Sequence, residues 1–166
     1  LVEGEALAQL AHAAGSLLLV NDRVDVALAV GADGVHLGME DFPLPWARRA
    51  LGPSAIIGAT CRTGRQAQKA AREGASYVSA GPVFASPTKP GLRPRGLAVV
   101  RDISRAVPIP VCAIGGIMEE RIESVIGAGA DFVAVSSAIA EAADPKAAAR
   151  RLVARVAQCY AAVSRP

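Results

Sequence analysis

Apolar residues fall along the chain in short, dense runs that are separated by stretches of helical period. The runs are rich in Val, Ile and Leu and show little polar alternation, which is typical of strands covered on both faces. They predict strands at Ser16–Asn21, Gly34–Leu37, Ala55–Cys61, Tyr77–Phe84, Val111–Ile117 and Phe132–Ser137.

The stretches between the strands predict helices, at Val24–Val30, Leu44–Leu51, Gly64–Glu73, Leu97–Ala106, Glu119–Ala128 and Asp144–Ala162. The last helix carries the clearest signals, because Asp144 can cap it and Pro145 suits its first position. A helical pattern also occupies the opening stretch, EGEALAQLAHAAG.

A weak internal repeat links the two kinds of element. The segments VGADGVHLG, EGASYVSAG and AGADFVAVS each run from a helix end, through a glycine, into a strand. A glycine at that point can take the left-handed turn that ends a helix. The repeat therefore predicts successive βα units, and hence a parallel sheet that is either open or closed into a barrel.

The number of units bears on that choice. Residues 1–166 contain no linker and predict a single domain of six βα units, whereas a (β/α)₈ TIM barrel has eight units and typically about 250 residues. The six units can form an open sheet, or they can be the last six units of a barrel whose first two are absent from this sequence. The helical opening, which lacks an initial Met, favours the barrel.

Composition argues against several classes of function. The chain is 52% hydrophobic, 20% charged and only 4% aromatic, which argues against a base-stacking nucleic-acid platform. The net charge of +3 comes mostly from scattered arginines. We interpret most of these as solvated helix faces, so no nucleic-acid partner is expected. No apolar run is long enough for a membrane span, so no membrane association is expected. The three cysteines lack metal or redox spacing, which indicates reduced thiols in a cytoplasmic protein.

Polar residues collect at the ends of the predicted strands, where parallel α/β proteins bind their ligands. These positions hold Asn21 and Asp22, Glu40 and Asp41, Thr60, Arg62 and Thr63, the loop Ser86–Lys89, Gly115-Gly116 and Ser136-Ser137. Asp22 and Asp41 offer the hard oxygen ligands that suit Mg²⁺ beside a polyphosphate. The glycine and serine pairs predict a phosphate pocket, because the loops after the last two strands of a barrel commonly form one.

Each of these features also has a structural alternative. Asp22 can cap the helix that begins near Val24, and Asp41 can start the turn before Pro43. Gly115-Gly116 can simply form a tight turn, and Ser136-Ser137 can simply end a strand. Lys89 can be a solvated side chain on a loop. Their occurrence at successive strand ends favours a shared anion site.

Other polar residues are given structural interpretations. We interpret His36 as a packed or hydrogen-bonded histidine, because it lies in the middle of a strand, and Tyr77 as a packing residue. Arg62 follows Cys61 directly, and a neighbouring guanidinium can lower the pKa of a thiol.

Four segments carry a specific resemblance to a known family. LLLVNDRVDVALAVGADGVHLGMED, GPVFASPTKPG, PVCAIGGI and GADFVAVSSAI closely resemble thiamine phosphate synthase and its sister branch of thiazole tautomerases. The resemblance runs over nearly the whole chain and implies a (β/α)₈ barrel. It also implies two upstream βα units that carry a pyrophosphate-binding Gln-x-Arg-x-Lys motif.

The resemblance implies a reaction between two phosphorylated small molecules. The synthase joins 4-amino-5-hydroxymethyl-2-methylpyrimidine diphosphate to a thiazole phosphate after pyrophosphate has left. On this basis Asp22 and Asp41 are expected to bind Mg²⁺, with Asn21 beside them. The expected substrate-binding residues are Asn21, Thr60, Ser86, Thr88, Lys89, Gly116, Ser136 and Ser137, of which Thr60 and Lys89 are expected to be catalytic. The resemblance leaves a homodimer open as the assembly state.

Two features decide between the branches of the family. Arg62 occupies a position that is commonly His, and the tautomerases are thought to use that His in proton transfer, so Arg62 argues against a tautomerase. The segment KPGLRPRG, in contrast, resembles the tautomerases. The tautomerases need no metal, whereas the acids Asp22 and Asp41 are a feature of the synthases. We therefore favour the synthase. The alternatives are a metal-independent thiazole tautomerase and a non-catalytic thiazole phosphate-binding homologue.

Overall fold

The computed structural model describes residues 1–86 and 91–163, and these form one parallel sheet flanked by helices. The strands are β1 Leu19–Asn21, β2 Gly34–Leu37, β3 Ile56–Cys61, β4 Tyr77–Ala80, β5 Val111–Ile114 and β6 Phe132–Ala134. The helices are α1 Val2–Ala13, α2 Val24–Ala29, α3 Leu44–Leu51, α4 Gly64–Arg72, α5 Gly96–Ala106, α6 Ile122–Gly127, α7 Ser137–Ala140 and α8 Pro145–Val163. A single 3₁₀ turn, Glu119–Arg121, precedes α6.

The strands lie in the sheet in the same order as in the chain, from β1 to β6, and every neighbouring pair is parallel. In a doubly wound open sheet, the strand order would instead reverse at a switch point. Right-handed crossovers that always advance in one direction place the helices on one face, and the sheet curls around the other. The predicted TIM-barrel architecture is therefore confirmed as a partial barrel of six strands.

The repeated junctions take the conformation that the sequence predicts. Their glycines, Gly31, Gly74 and Gly129, have φ angles of 65°, 96° and 101°. The side chain of the residue two positions later then accepts a hydrogen bond from a backbone N–H at or beside the amino end of the preceding strand in the sheet. The pairs are Asp33 with Leu18 at 2.7 Å, Ser76 with Ile57 at 3.0 Å and Asp131 with Val111 at 2.8 Å. The repeat thus ends a helix and fixes the start of an adjacent strand.

Three predicted strands extend too far at their carboxyl ends. β4 ends at Ala80 rather than Phe84, because Pro82 has no N–H for the ladder. β5 ends at Ile114 because Gly115 and Gly116 have φ angles of 102° and 60°. β6 ends at Ala134, and the short helix α7, which the pattern did not predict, follows it.

The main core lies between the sheet and the helices that cover it. Val78, Val100, Ile103, Ile122 and Val125 are fully buried there. Within the described residues, no helix is long and apolar enough to cross a membrane. This core holds the six strands in place. Because the strands are parallel, all of their carboxyl ends lie at one rim of the sheet.

Candidate active site at the carboxyl ends of the strands

A cavity of about 500 Å³ opens at this rim, among the loops that follow the strands. It is lined by all of the predicted site residues that the structure describes, namely Asn21, Asp22, Asp41, Thr60, Ser86, Gly116, Ser136 and Ser137. Thr88 and Lys89, which were also predicted, lie outside the described residues. The fold therefore brings residues from the ends of β1 to β6 around a single space.

Asp22 follows β1 and has a left-handed backbone, with a φ of 64°. Its N–H donates to the carbonyl oxygen of His36 at 2.8 Å, which fixes the turn to β2. The N-cap of α2 is Arg23, so the alternative in which Asp22 caps this helix is wrong. A left-handed conformation costs about 1 kcal/mol in a residue other than Gly, and such strain is often found at functional sites.

Asp41 lies on the loop between β2 and α3. Its Oδ2 accepts a hydrogen bond from the N–H of Gly38 at 2.6 Å, so the carboxylate closes the turn that precedes it. A Cβ on residue 38 would lie 2.7 Å from this same Oδ2. The glycine therefore makes room for the carboxylate at the cavity wall.

The donors at this end of the cavity suit Mg²⁺ better than a metal held by protein ligands alone. Asp22, Asp41 and the amide of Asn21 line the same space. Residues 1–86 and 91–163 contain no cluster of three or more His, Cys, Asp and Glu side chains that could hold a metal. Mg²⁺ commonly takes one or two carboxylates and completes its shell with water and phosphate oxygens. The residues present fit that pattern.

Thr60 lies on β3 and is hydrogen-bonded to a side chain of the neighbouring strand. Its Oγ1 lies 2.9 Å from Nε2 of His36, and Nδ1 of His36 lies 2.8 Å from the hydroxyl oxygen of Tyr77 on β4. His36 is therefore hydrogen-bonded, as the sequence indicated. Tyr77 does more than pack, because its hydroxyl holds the imidazole.

The glycine pair after β5 is packed tightly against residues 81–86. The carbonyl oxygens of Ile114 and Gly115 accept hydrogen bonds from the N–H groups of Val83 and Phe84, at 2.9 and 3.0 Å. A Cβ on residue 116 would lie 2.2 Å from the carbonyl oxygen of Ala85. The loops after β4 and β5 thus form one wall of the cavity, which requires glycine at residue 116.

Arg121 is an exception to the interpretation of most arginines as solvated helix faces. Its Nη1 donates to the carbonyl oxygen of Gly116 at 2.6 Å, and its guanidinium lies 4.6 Å from the ring centre of Phe84. This arginine therefore ties the glycine pair to the loop after β4.

Ser79 is a cavity residue that the sequence pattern did not reveal, because it lies within an apolar strand. It is 2% exposed, and its Oγ has no hydrogen-bond partner within the described part of the chain. It lies beside Thr60 in the parallel register and lines the same cavity. A polar residue inside an otherwise apolar run, next to a strand end, is the signal that could have identified it.

We expect Ser79→Ala to stabilise the protein by about 1 kcal/mol, because it removes a buried hydroxyl that has no partner. Equilibrium urea unfolding measures this change. Ser16→Ala is the matched control, since residue 16 is exposed and its change should fall within about 0.5 kcal/mol. A loss of stability in Ser79→Ala would show that the hydroxyl is satisfied in the folded protein.

The cysteines do not form a reactive site. Burial raises the pKa of the Cys61 thiol to about 11, and burial raises the pKa of Cys112 to about 12. The prediction that Arg62 lowers the pKa of Cys61 is therefore wrong, because loss of solvent around the thiol outweighs the neighbouring charge. All three cysteines are buried and none forms a disulfide.

A partial barrel with a cavity at the carboxyl ends of its strands defines the class of TIM-barrel proteins, whose active sites lie at that end. The family can be stated more closely. The sequence profile of the thiamine monophosphate synthase family matches residues 1–139, and the chain belongs to this family.

Relatives and solved structures agree with this assignment. The chain is 53% identical over 150 residues to a thiamine-phosphate synthase of Roseiflexus castenholzii, covering 90% of this chain and 66% of that protein. It is 55% identical over 151 residues to a thiamine biosynthesis bifunctional protein of Symbiobacterium thermophilum, covering 90% of this chain and 32% of that protein. The chain thus spans about a third to two thirds of the length of these relatives.

The fold also matches solved structures. A thiamine phosphate pyrophosphorylase of Pyrococcus furiosus superposes with a TM-score of 0.85 and 42% identity, covering 94% of this chain and 75% of that one. A 3-hexulose-6-phosphate synthase superposes with a TM-score of 0.71 over 92% of this chain and 78% of that one. At 23% identity, this second likeness is one of fold alone.

Proposed function

We propose that the protein is a Mg²⁺-dependent thiamine phosphate synthase, which joins 4-amino-5-hydroxymethyl-2-methylpyrimidine diphosphate to 4-methyl-5-(2-phosphooxyethyl)thiazole. The observation that carries this proposal is that Asp22 and Asp41 line one cavity together with Gly116, Ser136 and Ser137. Acids for a cation and phosphate-binding loops thus face the same space. Membership of the thiamine monophosphate synthase family supports the choice of substrates.

The diphosphate is assigned to the side of the cavity where β1, β2 and β3 end. Asp22 and Asp41 would hold Mg²⁺ there, with the amide of Asn21 beside them. The bound cation supplies charge neutralisation for the leaving pyrophosphate. The hydroxyls of Thr60 and Ser86, which line this cavity, would donate hydrogen bonds to anionic oxygens. We assign Thr88 and Lys89 to the same end on the basis of sequence.

The thiazole phosphate is assigned to the opposite side, where β5 and β6 end. Gly116 lies in a turn of two consecutive glycines, and Ser136 and Ser137 bring hydroxyls and backbone N–H groups. The volume of about 500 Å³ lies within the range of about 300–1,000 Å³ that is usual for small-molecule sites.

This arrangement supports a dissociative substitution. The C–O bond to the diphosphate breaks and its electron pair leaves with pyrophosphate, and the lone pair of the thiazole nitrogen then forms the new C–N bond. Residues that hold both substrates in one cavity contribute by orienting the nitrogen toward the reacting carbon. Donors such as Thr60 contribute by stabilising the charge that develops on the leaving group.

The three buried, unpaired cysteines support placing this reaction in a reducing compartment, and we propose the cytoplasm. Phosphorylated small molecules are the proposed partners of the site.

Product formation tests the proposal. The complete product of the gene is incubated with both substrates and Mg²⁺, and thiamine phosphate is measured by chromatography after oxidation to its fluorescent thiochrome. We expect turnover that stops when EDTA is added. Turnover of a thiazole carboxylate phosphate in EDTA would instead identify a tautomerase. Tight binding of the thiazole phosphate without either turnover would identify a non-catalytic homologue.

A further inference from the structure

Three side chains on adjacent strands form a continuous hydrogen-bonded line that ends at the cavity. The Tyr77 hydroxyl lies 2.8 Å from Nδ1 of His36, and Nε2 of His36 lies 2.9 Å from Oγ1 of Thr60. The rings of His36 and Tyr77 are stacked with centres 5.6 Å apart, and the rings of Tyr77 and Phe132 make an edge-to-face contact. Both ends of the imidazole are therefore held.

The backbone of β3 is shaped for this line. His36 on β2 and Tyr77 on β4 are both in register with Gly58 on β3. A Cβ on residue 58 would lie 2.2 Å from Cζ of Tyr77 and 2.4 Å from Nδ1 of His36. Glycine at residue 58 lets the two rings meet across the intervening strand. The need for glycine there supports the contact between His36 and Tyr77 independently of the hydrogen-bond distances.

The line can run in two directions. A neutral imidazole has one N–H donor and one acceptor, so either Tyr77 donates to Nδ1 and Nε2–H donates to Thr60, or the reverse. In the first direction the Thr60 hydroxyl accepts from His36, so its own proton can be donated to another group. In the second direction the Tyr77 hydroxyl accepts from His36, and it is the Tyr77 proton that can be donated elsewhere. Thr60 lines the cavity whereas Tyr77 does not. Only the first direction therefore gives the remaining proton a space in which to meet a ligand.

The surroundings of Tyr77 favour the same direction. Within residues 1–86 and 91–163, His36 is the one hydrogen-bond partner of the Tyr77 hydroxyl. Burial raises the pKa of Tyr77 to about 12, so the phenol keeps the proton that donation to Nδ1 requires. A phenol is also a stronger hydrogen-bond donor than an aliphatic hydroxyl, because it is the more acidic group.

We propose that His36 is a positioning residue: oriented by Tyr77, it donates its Nε2–H to Thr60 and thereby aims the Thr60 hydroxyl proton at an anionic oxygen of the substrate. The identity of that oxygen, on the diphosphate, rests on the proposed function. The direction of the line does not, since it is a property of the protein without substrate.

The imidazole tautomer tests the direction without substrate. Two-bond ¹H–¹⁵N NMR spectra of the protein, recorded at a pH of about 8 where an ordinary imidazole is neutral, distinguish a protonated Nε2 from a protonated Nδ1. We expect Nε2–H for His36 in the wild type and a gain of Nδ1–H in Tyr77→Phe, which keeps the ring but removes the donor. Tyr160→Phe is the matched control, because the Tyr160 hydroxyl is buried without a partner in the described chain. It should leave the His36 signals unchanged.

Kinetics test the consequence for the reaction. Gln can place an amide N–H near the position of Nε2 whereas Asn reaches only the position of Nδ1, so His36→Gln should retain more activity than His36→Asn. We expect Tyr77→Phe and His36→Asn to lower kcat for thiamine phosphate formation about tenfold, the effect of one charge-assisted hydrogen bond. In a Thr60→Val background, Tyr77→Phe should cause no further loss, because the residue that the line positions is absent.

The outcomes separate the two proposals. An Nδ1–H tautomer in the wild type would reverse the direction of the line and so overturn the positioning role. Equal losses in the Gln and Asn variants would also overturn it, since a purely structural histidine predicts them. If the wild type forms no thiamine phosphate, the proposed function fails, while the tautomer and its response to Tyr77→Phe still decide the direction of the line.

Discussion

Asp41→Asn is expected to lower kcat/KM for thiamine phosphate formation about a thousandfold, because one of two carboxylates that would hold Mg²⁺ against the leaving group is lost. The variant is chosen because Asn keeps an oxygen that can accept the hydrogen bond from Gly38, which the wild type makes at 2.6 Å. The loop should therefore stay in place while the charge disappears. A steady-state assay with both substrates at several Mg²⁺ concentrations measures the effect.

The control for this variant is Asp25→Asn, which makes the same chemical change at an exposed carboxylate on α2 that pairs with Arg23. It should leave kcat/KM within about twofold of the wild type, since a surface ion pair contributes little. Urea unfolding should place both variants within about 0.5 kcal/mol of the wild type. A folded Asp41→Asn variant with normal activity and an unchanged Mg²⁺ requirement would remove Asp41 from the metal site.

Gly116→Ala is expected to lower the free energy of unfolding by about 3 kcal/mol, because it combines a left-handed backbone with a steric clash. Residue 116 has a φ of 60°, and the added Cβ would lie 2.2 Å from the carbonyl oxygen of Ala85. The obstacle is backbone rather than a flexible side chain, so the loop after β4 must move. Because that loop is a wall of the cavity, the KM for the thiazole phosphate should rise as well.

Gly31→Ala separates the two causes of this loss. Its φ of 65° is nearly the same, but within the described residues, and apart from its two chain neighbours, no atom lies within 4 Å of the Cβ position. It should therefore show only the cost of a left-handed residue, about 1 kcal/mol. Equilibrium urea unfolding of both variants measures the difference. Equal losses would mean that residue 116 does not contact residue 85 in solution.

The architecture could be predicted from the sequence because each level of the pattern gives the same answer. Gly31, Gly74 and Gly129 mark three junctions at which a helix must stop, and all three have positive φ. Dense apolar runs then place the strands within a few residues of their positions. The carboxyl ends of β4, β5 and β6 were predicted less well, since Val83, Ile117 and Val135 continue the apolar runs after the ladder has stopped.

The cavity residues could be predicted because a parallel sheet collects the ends of its strands at one rim. Asn21, Thr60 and Ser136 lie far apart in the chain, but each lies at or near the carboxyl end of a strand, and all three line the cavity. Their chemical roles stay predictions.

The line from Tyr77 to Thr60 could not be predicted from local sequence. It depends on His36, Gly58 and Tyr77 being in register on three strands, and register is a property of the folded sheet. Ser79 was missed for a similar reason, because a hydroxyl within an apolar run is recognisable as a cavity residue only once the cavity is known. The left-handed conformation of Asp22 likewise accompanies a hydrogen bond to the backbone of β2, which only the folded sheet brings within reach.

The proposed function requires the carboxylates of Asp22 and Asp41 to act on one cation together with a diphosphate. Titration calorimetry with inorganic pyrophosphate, in Mg²⁺ and in EDTA, measures this directly. We expect wild-type protein to bind pyrophosphate in Mg²⁺ and to lose that binding in EDTA. Pyrophosphate binding of equal strength with and without the metal would show that the two acids do not share a cation.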